Sequence, residues 1–576
     1  MPFFNLKQKL AEQIAHALSH PEINSQSIFQ ELGTPPNLEM GHIALPCFKL
    51  GKLLNKPAGK LAIELSQNFK SPLATASAAG PYANFKFNAE QVFDATLSKI
   101  LNEKDRYGSE PQTSATPVVL EYCSPNIAKP LFFHHIRSTL IGNVLANVYD
   151  FLGYKTERIN FVGDWGTQFA RLLAAFELWG QKDALSLSDL DRSMKHLLDI
   201  YVKFHQEVET HPEYLEKTSQ WLQRLEAQDP TATELWKLIR DISVANMEKT
   251  LRKMNVVFHH TEGESTYIPK MESTLKEIKA KADAKLSEGA YIVEIPDIEP
   301  PALIQKKDGT TLYLTRDIAA AIDRYQKYHF SKMYYVVSEQ QKLHFKQLFA
   351  VLKKMGYGFS DSCEHLSFGT VHFGKERMST REGRVVYLED VLKEATQLAL
   401  EECTKKNPSL AGKEDIARQI GIGAIIFGNL SAHKQRDIEF NWEHVLAFDG
   451  ETGPYVQYSA VRCQSLLTKA KEANIEPRNL AKVVGYTFAP EEVALILELS
   501  KFRSVLKTCT QDNEPYHLPR YLIDVTKAFN RFYYQLSVLQ ATELIQKQVR
   551  LNLVEATYQV LYNGLKLLGI ETPKEM

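Results

Sequence analysis

The feature that most constrains this chain is a unit that begins near residue 118. Val118-Val119-Leu120-Glu121-Tyr122 is an apolar run of strand length, and a loop with two prolines follows it. Apolar residues then recur with helical period at Ile136, Leu140, Ile141, Val144, Leu145 and Val148. A second strand-like run, Arg158 to Val162, ends at Gly163-Asp164-Trp165-Gly166. A strand apolar on both faces has to be covered on both sides, and strand, helix, strand is the crossover unit that lays two such strands parallel. The alternation returns at Met333-Tyr-Tyr-Val-Val and the helical Leu343 to Met355. The sequence therefore predicts an α/β domain with a parallel sheet, interrupted between its halves by a helix-rich, polar-faced insertion at about 172–262.

Turn signals and changes of hydrophobic period mark the other boundaries. Residues 1–112 read as an α+β N-terminal domain, with amphipathic helices, a short apolar stretch Gly80 to Phe87, and a polar linker from Pro111. The α/β domain spans 113–385 and a connecting segment 386–449. An all-helical domain follows at 450–576, with apolar spacing in Leu495 to Leu506, Tyr521 to Val538 and Leu551 to Leu568, and with Arg462, Arg531 and Arg550 expected on outer faces. A length of 576 residues with 24% charged residues suits several soluble domains. The net charge of −1 gives no global attraction for nucleic acid, so RNA binding would need local basic faces. No run approaches the roughly 20 apolar residues of a membrane span. The amphipathic start, Phe4 to Leu18, carries Glu12 and suits a first helix better than a targeting peptide. Six cysteines at 47, 123, 363, 403, 463 and 509 form no zinc-clip spacing and read as reduced thiols. These features predict a cytoplasmic enzyme with no protein-bound zinc and no membrane contact.

Two loops carry candidate chemistry. The first, Ser124 to Thr139, joins the first strand to a helix N-terminus, where free N–H groups and the helix dipole favour an anion, and Lys129, His134 and His135 add donors there. The second, Phe373 to Gly383, alternates hydroxyl residues with cations and suits closure over a triphosphate. Taken singly, each also fits a bland reading, two histidines opening a helix or an exposed basic turn.

Together they resemble the arginyl-tRNA synthetases. Ser124-Pro-Asn-Ile-Ala-Lys-Pro, Ile136-Arg-Ser-Thr and Gly163-Asp-Trp-Gly-Thr-Gln168 resemble that family's active site, and Met378-Ser-Thr-Arg-Glu-Gly its second class I signature. Tyr313-Leu-Thr-Arg-Asp317, Glu339-Gln-Gln-Lys-Leu-His344 and Gly450-Glu-Thr-Gly-Pro-Tyr-Val-Gln-Tyr458 follow in the family's order. The resemblance implies a Rossmann-type catalytic domain and an ATP-dependent arginine–tRNA ligase that acts on L-arginine, ATP with substrate-bound Mg2+, and tRNA(Arg) as a monomer. It implies catalytic roles for Lys129, His135, Met378, Ser379, Thr380 and Arg381, and ATP contacts from Pro130, His134, His135, Arg377 and Ser379. Arginine would be held by Glu121, Asn126, Tyr313, Asp317 and Gln341; a planar, permanently charged guanidinium calls for carboxylates that pair with it. The tRNA would meet Tyr82 and Asn84 in the N-terminal domain and Tyr455, Gln457, Tyr458 and Arg462 in the helical anticodon-binding domain. Arginine activation would depend on bound tRNA.

One departure stands out. The family's first signature usually reads His-x-Gly-His, and the aligned residues are Phe132, Phe133, His134 and His135. Either the adenine lies against His134, or the chain is a catalytically impaired tRNA-binding relative; the otherwise intact machinery favours the first. Thr380 replaces the lysine of other class I second signatures, and the resemblance assigns the missing charge to Lys129.

Overall fold

The computed structural model describes every residue except 1, 37–39, 113, 128, 308, 310–311, 374–385 and 478–485, and describes no side chains at 2–5 or 373. Near the N-terminus, β1 (Ile43–Pro46), β2 (Ala74–Ala79) and β3 (Tyr82–Phe87) form an antiparallel sheet with β3 central, flanked by helices that include Pro2–Leu18 and Ala89–Glu103. The main sheet has the order β11-β10-β4-β5-β6, built from β4 (Val118–Glu121), β5 (Thr156–Val162), β6 (His260–Gly263), β10 (Lys332–Ser338) and β11 (Cys363–Phe368). A three-stranded antiparallel sheet, β7 (Lys285–Ser287), β8 (Ala290–Ile295) and β9 (Ile298–Gln305), lies between β6 and β10 in sequence. Short strands β12 (Val371–Phe373) and β13 (Ile438–Phe440) pair in parallel.

Every pairing in the main sheet is parallel, and Val118, Val119, Leu120 and Glu121 of its central strand are all buried, as the apolar run requires. The chain fills β4, β5 and β6 in one direction and then returns to the other side of β4 for β10 and β11. Strand order reverses between β4 and β10, which opens a crevice at the strands' carboxyl ends.

The structure departs from the sequence reading at three places. The helical stretch from Thr167–Trp179 through Leu190–Glu207, Glu213–Glu226 and Pro230–Arg252 does not run to residue 262; it gives way to β6, the edge strand of the main sheet. Its sequence, His-Thr-Glu-Gly, is mostly half-buried and has no apolar run to signal a strand. The helix expected over 495–506 breaks at Ser500 and Lys501 into Pro490–Leu499 and Phe502–Gln511, where Ser500 Oγ donates to the Leu497 carbonyl at 2.6 Å. Arg550 is not on an outer face. It is buried on Leu544–Leu568, donating to Glu492 (2.8 Å) and to the Ser537 carbonyl (2.6 Å), because that helix packs on several sides rather than one.

The C-terminal helices share a continuous core with the main sheet. The Tyr107 hydroxyl donates to the Leu499 carbonyl (3.1 Å), Asn147 to the Leu567 carbonyl (2.9 Å) and the Tyr149 hydroxyl to Asn513 (2.9 Å). All six cysteines are free thiols, five buried and Cys363 partly so. Among the described residues no helix is long and apolar enough to cross a membrane.

Candidate active site

The crevice at the switch point holds a cavity of about 910 Å³. Glu121 from the end of β4, Asn126, His134 and His135 from the loop after it, Gly163 after β5, Glu264 after β6, Val336 to Ser338 on β10, and Phe368 at the end of β11 line it. Tyr313, Asp317, Gln341 and His344 line it as well, with Arg137, Gly369 and Thr370 among its further residues. Seven residues singled out from the sequence thus meet in one cavity, since each sits at a strand end or on a helix that starts there.

Close backbone approach shapes the loop after β4. Its main chain extends the sheet by one bridge, with Ile127 N–H donating to the Gly163 carbonyl (3.1 Å) and Gly163 N–H to the Pro125 carbonyl (3.0 Å). A side chain at 163 would put its Cβ 2.0 Å from Asn126 Oδ1, so glycine there is what lets Asn126 reach the cavity. Asp164, next in sequence, is buried; it accepts from Ser265 N–H (2.9 Å), Ser265 Oγ (2.7 Å) and Arg240 Nε (2.9 Å), which fixes the segment carrying Glu264.

The acidic wall is paired from behind. Arg324, 1% exposed, donates to Glu121 from Nη1 and to Glu262 Oε2 from Nε (3.1 Å), with its guanidinium 4.9 Å from the Phe161 ring centroid. Arg316 donates to Glu264. Asp317 meets His344 Nε2 at 2.6 Å. Burial pushes the Glu121 carboxyl up to about 7 against the pull of Arg324, and Asp317 and Glu262 add to the rise. Burial likewise pushes Glu264 up to about 7, opposed by Arg316. Sequence reasoning missed Glu264, Arg324 and the role of His344. The acidic residues of Thr261-Glu-Gly-Glu264 are the available signal, and they straddle the expected end of the helical insertion at about 262.

On the opposite side the altered first signature forms an aromatic stack. The Phe132 ring lies 5.8 Å from His135, nearly parallel at 13°, and 5.4 Å from His134, and Lys129 Nζ stands 4.8 Å from its centroid. His135 Nδ1 stands 3.1 Å from the Phe132 N–H and 3.2 Å from the Phe132 carbonyl oxygen, so it accepts from the one or donates to the other according to its tautomer. Burial, with His134 and Lys129 adding to it, lowers His135 to about 3, which leaves a neutral imidazole. Lys129 is half-buried, and burial lowers its ammonium too. Lys129 and Pro130 stand beside the cavity rather than in its lining. Arg377, Met378, Ser379, Thr380 and Arg381 lie outside the described residues.

The expected RNA contacts divide. Tyr82 is exposed and packs edge-on against exposed Phe48 at 5.9 Å. Asn84, by contrast, is buried on the central strand β3 beside Ala44, so its side chain is not presented to a partner. Gln457 is fully buried as well, and its amide donates to the carbonyls of Gln419 (3.2 Å) and Glu571 (2.8 Å), a structural use. Both residue types favour the surface, and here both are buried, Gln457 with its amide on interior backbone carbonyls. Tyr455 accepts from Asn530 (2.8 Å). Arg462 lies 4.8 Å from the ring of Tyr458, 4.9 Å from Tyr533 and 5.7 Å from the exposed Tyr534. Sequence reasoning assigned no role to Tyr533 or Tyr534.

The chain matches three family models: "tRNA synthetases class I (R), catalytic domain" over residues 96–442, "DALR anticodon binding domain" over 456–576 and "Arginyl tRNA synthetase N terminal domain" over 5–87. It is 40% identical to an arginine–tRNA ligase of Clostridioides difficile over 96% of this chain and 97% of that one, and 39% identical to one of Halothermothrix orenii over 99% and 100%. The arginyl-tRNA synthetase structure from Thermus thermophilus superimposes with a TM-score of 0.81 at 26% identity, over 99% of this chain and 100% of that one.

Proposed function

The chain belongs to the arginyl-tRNA synthetase family, and we propose that its two steps run in the crevice above β4 and β10. The protein is an arginine–tRNA ligase, a class I aminoacyl-tRNA synthetase that activates arginine with ATP and charges tRNA(Arg). The observation that carries the site assignment is the convergence of Glu121, Asn126, Asp317, Gln341, His134 and His135 on one cavity at the strand ends.

In this reading the substrate guanidinium meets the acidic wall. Asp317, held by His344, and Glu264, held by Arg316, face it with Glu121, and exposed Tyr313 covers it. Asn126 and Gln341 fix the α-amino and carboxylate groups. A carboxylate oxygen attacks the α-phosphorus of ATP, and the bond to pyrophosphate breaks; the chain needs no covalent nucleophile, only placement and stabilisation of charge on phosphate oxygens. Neutral His135 offers its ring to the phosphates, Lys129 supplies positive charge, and His134 packs against the adenine with Pro130 nearby. Residues 377–381, outside the described residues, are assigned to the triphosphate, whose Mg2+ arrives as part of the substrate. A ribose hydroxyl of the tRNA's terminal adenosine then attacks the acyl carbon and AMP leaves. The 450–576 helices receive the anticodon arm through Tyr455, Tyr458 and Arg462, and the 1–112 domain receives another part of the tRNA through Tyr82. The enzyme acts as a cytoplasmic monomer, and tRNA promotes arginine activation. The reading of a non-catalytic relative is not favoured, because matched ligases span the whole chain and the acidic wall has no use in RNA binding alone.

Charging of total tRNA with labelled arginine, with lysine and cysteine as controls and His135→Ala alongside, tests this. Arginine-only charging that the variant loses is expected. Charging undiminished in the variant would remove His135 from the reaction.

A further inference from the structure

Arg137, in the helix Ile136–Phe151 just beyond His135, is 1% exposed and makes no ion pair among the described residues. All three of its nitrogens are instead bonded to backbone carbonyls. Nε donates to Gly369 (3.2 Å), Nη1 to Asn429 (2.6 Å), and Nη2 to His433 (3.0 Å), Lys434 (2.9 Å) and Arg436 (3.0 Å). Asn429 stands in the last turn of the helix Lys413–Leu430, where the partial negative charge of the helix end favours a cation. A buried guanidinium satisfied only by carbonyls is costly to create, so five converging carbonyls specify one geometry of the 429–436 turn against the start of the signature helix.

The other side of that turn is gripped from the C-terminal helices. Glu514, 2% exposed between Phe502–Gln511 and His517–Gln535, accepts the Lys434 N–H (3.1 and 3.2 Å) and pairs with His433 Nδ1 (2.7 Å). Its neighbour Asn513 accepts from Tyr149, further along the signature helix (2.9 Å). The turn is also laced to the strand that leads into the second signature: Gly369 N–H donates to the Lys434 carbonyl (2.9 Å) and Thr370 N–H to Asp437 (2.7 Å).

We propose that Arg137 is a positioning residue that couples the ATP site to the C-terminal helices through the 433–436 turn, with Glu514 as the far end of the coupling. His433 and Lys434 are held between the two, each by its carbonyl on one side and by its ring or N–H on the other. A displacement of the His517–Gln535 helix when RNA binds its exposed face therefore reaches the start of the signature helix and the strand before the second signature together. The inference rests on the assignment of ATP to this crevice.

The test is ATP binding by equilibrium dialysis, without arginine, with and without saturating tRNA(Arg). It uses the wild type, Arg137→Lys, Glu514→Gln and the double variant. The ratio of the two ATP dissociation constants is the coupling, expected at about fivefold or more in the wild type. Each single variant should bring the ratio to within about twofold of unity, and the double variant should lower it no further, since both act on one link. A ratio near unity in the wild type, or one retained in either folded variant, overturns the proposal. His433→Ala, at an exposed side chain, serves should Arg137→Lys not fold: it should at least halve the coupling, and an unchanged ratio counts against the proposal. Charging by the wild type in parallel separates failure of the coupling from failure of the site assignment.

Discussion

Gly163→Ala turns a close contact at the end of β5 into a measurement of what Asn126 does. The new Cβ would stand 2.0 Å from Asn126 Oδ1 and 3.0 Å from its Cγ, so the amide has to leave its position. The Asn126 Cα, 3.3 Å away, has to give by only a few tenths of an ångström, and the Gly163 backbone is one an alanine adopts. The substitution thus displaces one side chain and leaves the parallel ladder in place. If the Asn126 amide holds a charged group of bound arginine, its loss removes a hydrogen bond worth about 1.5–3 kcal/mol. At roughly 1.4 kcal/mol per factor of ten, kcat/KM for arginine falls by about 10- to 150-fold. Steady-state charging at varied arginine reads this directly, with thermal unfolding as the control for the fold. Asn126→Ala should lose a similar factor, and the double variant no more than either alone, because both remove the same contact. An unchanged kcat/KM in Gly163→Ala, or additive losses in the double variant, would refute the reasoning.

The acidic wall predicts a pH dependence. Glu121 and Glu264 are pushed up to about 7, so below that pH they carry protons and lose their attraction for a guanidinium. The KM for arginine should rise as pH falls from about 8 to 6, by up to roughly tenfold per unit for each group that titrates; a flat profile contradicts it. Stability has the opposite sign at these groups: a carboxyl raised in the folded state favours folding below the usual carboxylate range, and that contribution is lost as pH rises through about 7. Arg324→Met leaves Glu121 and Glu262 buried without their cation and should cost about 3–5 kcal/mol, read as faster thermal inactivation and partly recovered by Glu262→Gln. A variant as durable as the parent would show that the pair is not held by Arg324. Phe132→Leu removes the ring under Lys129; at about 0.5–1 kcal/mol for such a contact, the KM for ATP should rise roughly two- to fivefold with that for arginine unmoved.

Much of this site was legible because it is local in sequence. The run Val118 to Tyr122 announces a strand, and the residues that follow it occupy the strand's carboxyl end whatever the rest of the chain does, so Glu121, Asn126, His134 and His135 all line one cavity. Glu264 was not legible in this way, since β6 is polar and four residues long, and its strand character comes from pairing with β5 rather than from its own pattern. Residue type misled where burial decides. Gln457 and Asn84 are surface-type residues that the fold buries, Gln457 as an interior hydrogen-bond donor, and Arg550 and Arg137 are cations folded inside because carboxylates or carbonyls await them. No local signal marks such partners, which come from distant segments.

The least legible feature, a guanidinium built into the wall of a pocket that must recognise a guanidinium, has a physical reason. Glu121, Glu264 and Asp317 line one cavity with Glu262 behind them, and burial first, then the neighbouring carboxylates, raises the proton affinity of Glu121 and Glu264. A neutral carboxyl cannot select a cation. Arg324 and Arg316 pull Glu121 and Glu264 back toward ionisation from behind, on the side away from the cavity lining. Above about pH 7, and setting His344 aside, four carboxylates and two resident guanidinium groups leave a net of about two negative charges, which matches an incoming guanidinium and ammonium. Removing a resident arginine would therefore not vacate more acid for the substrate. It would raise the carboxyls' proton affinity and weaken the pocket's hold on arginine, which is why Arg324→Met should show its loss in the KM for arginine most strongly at low pH.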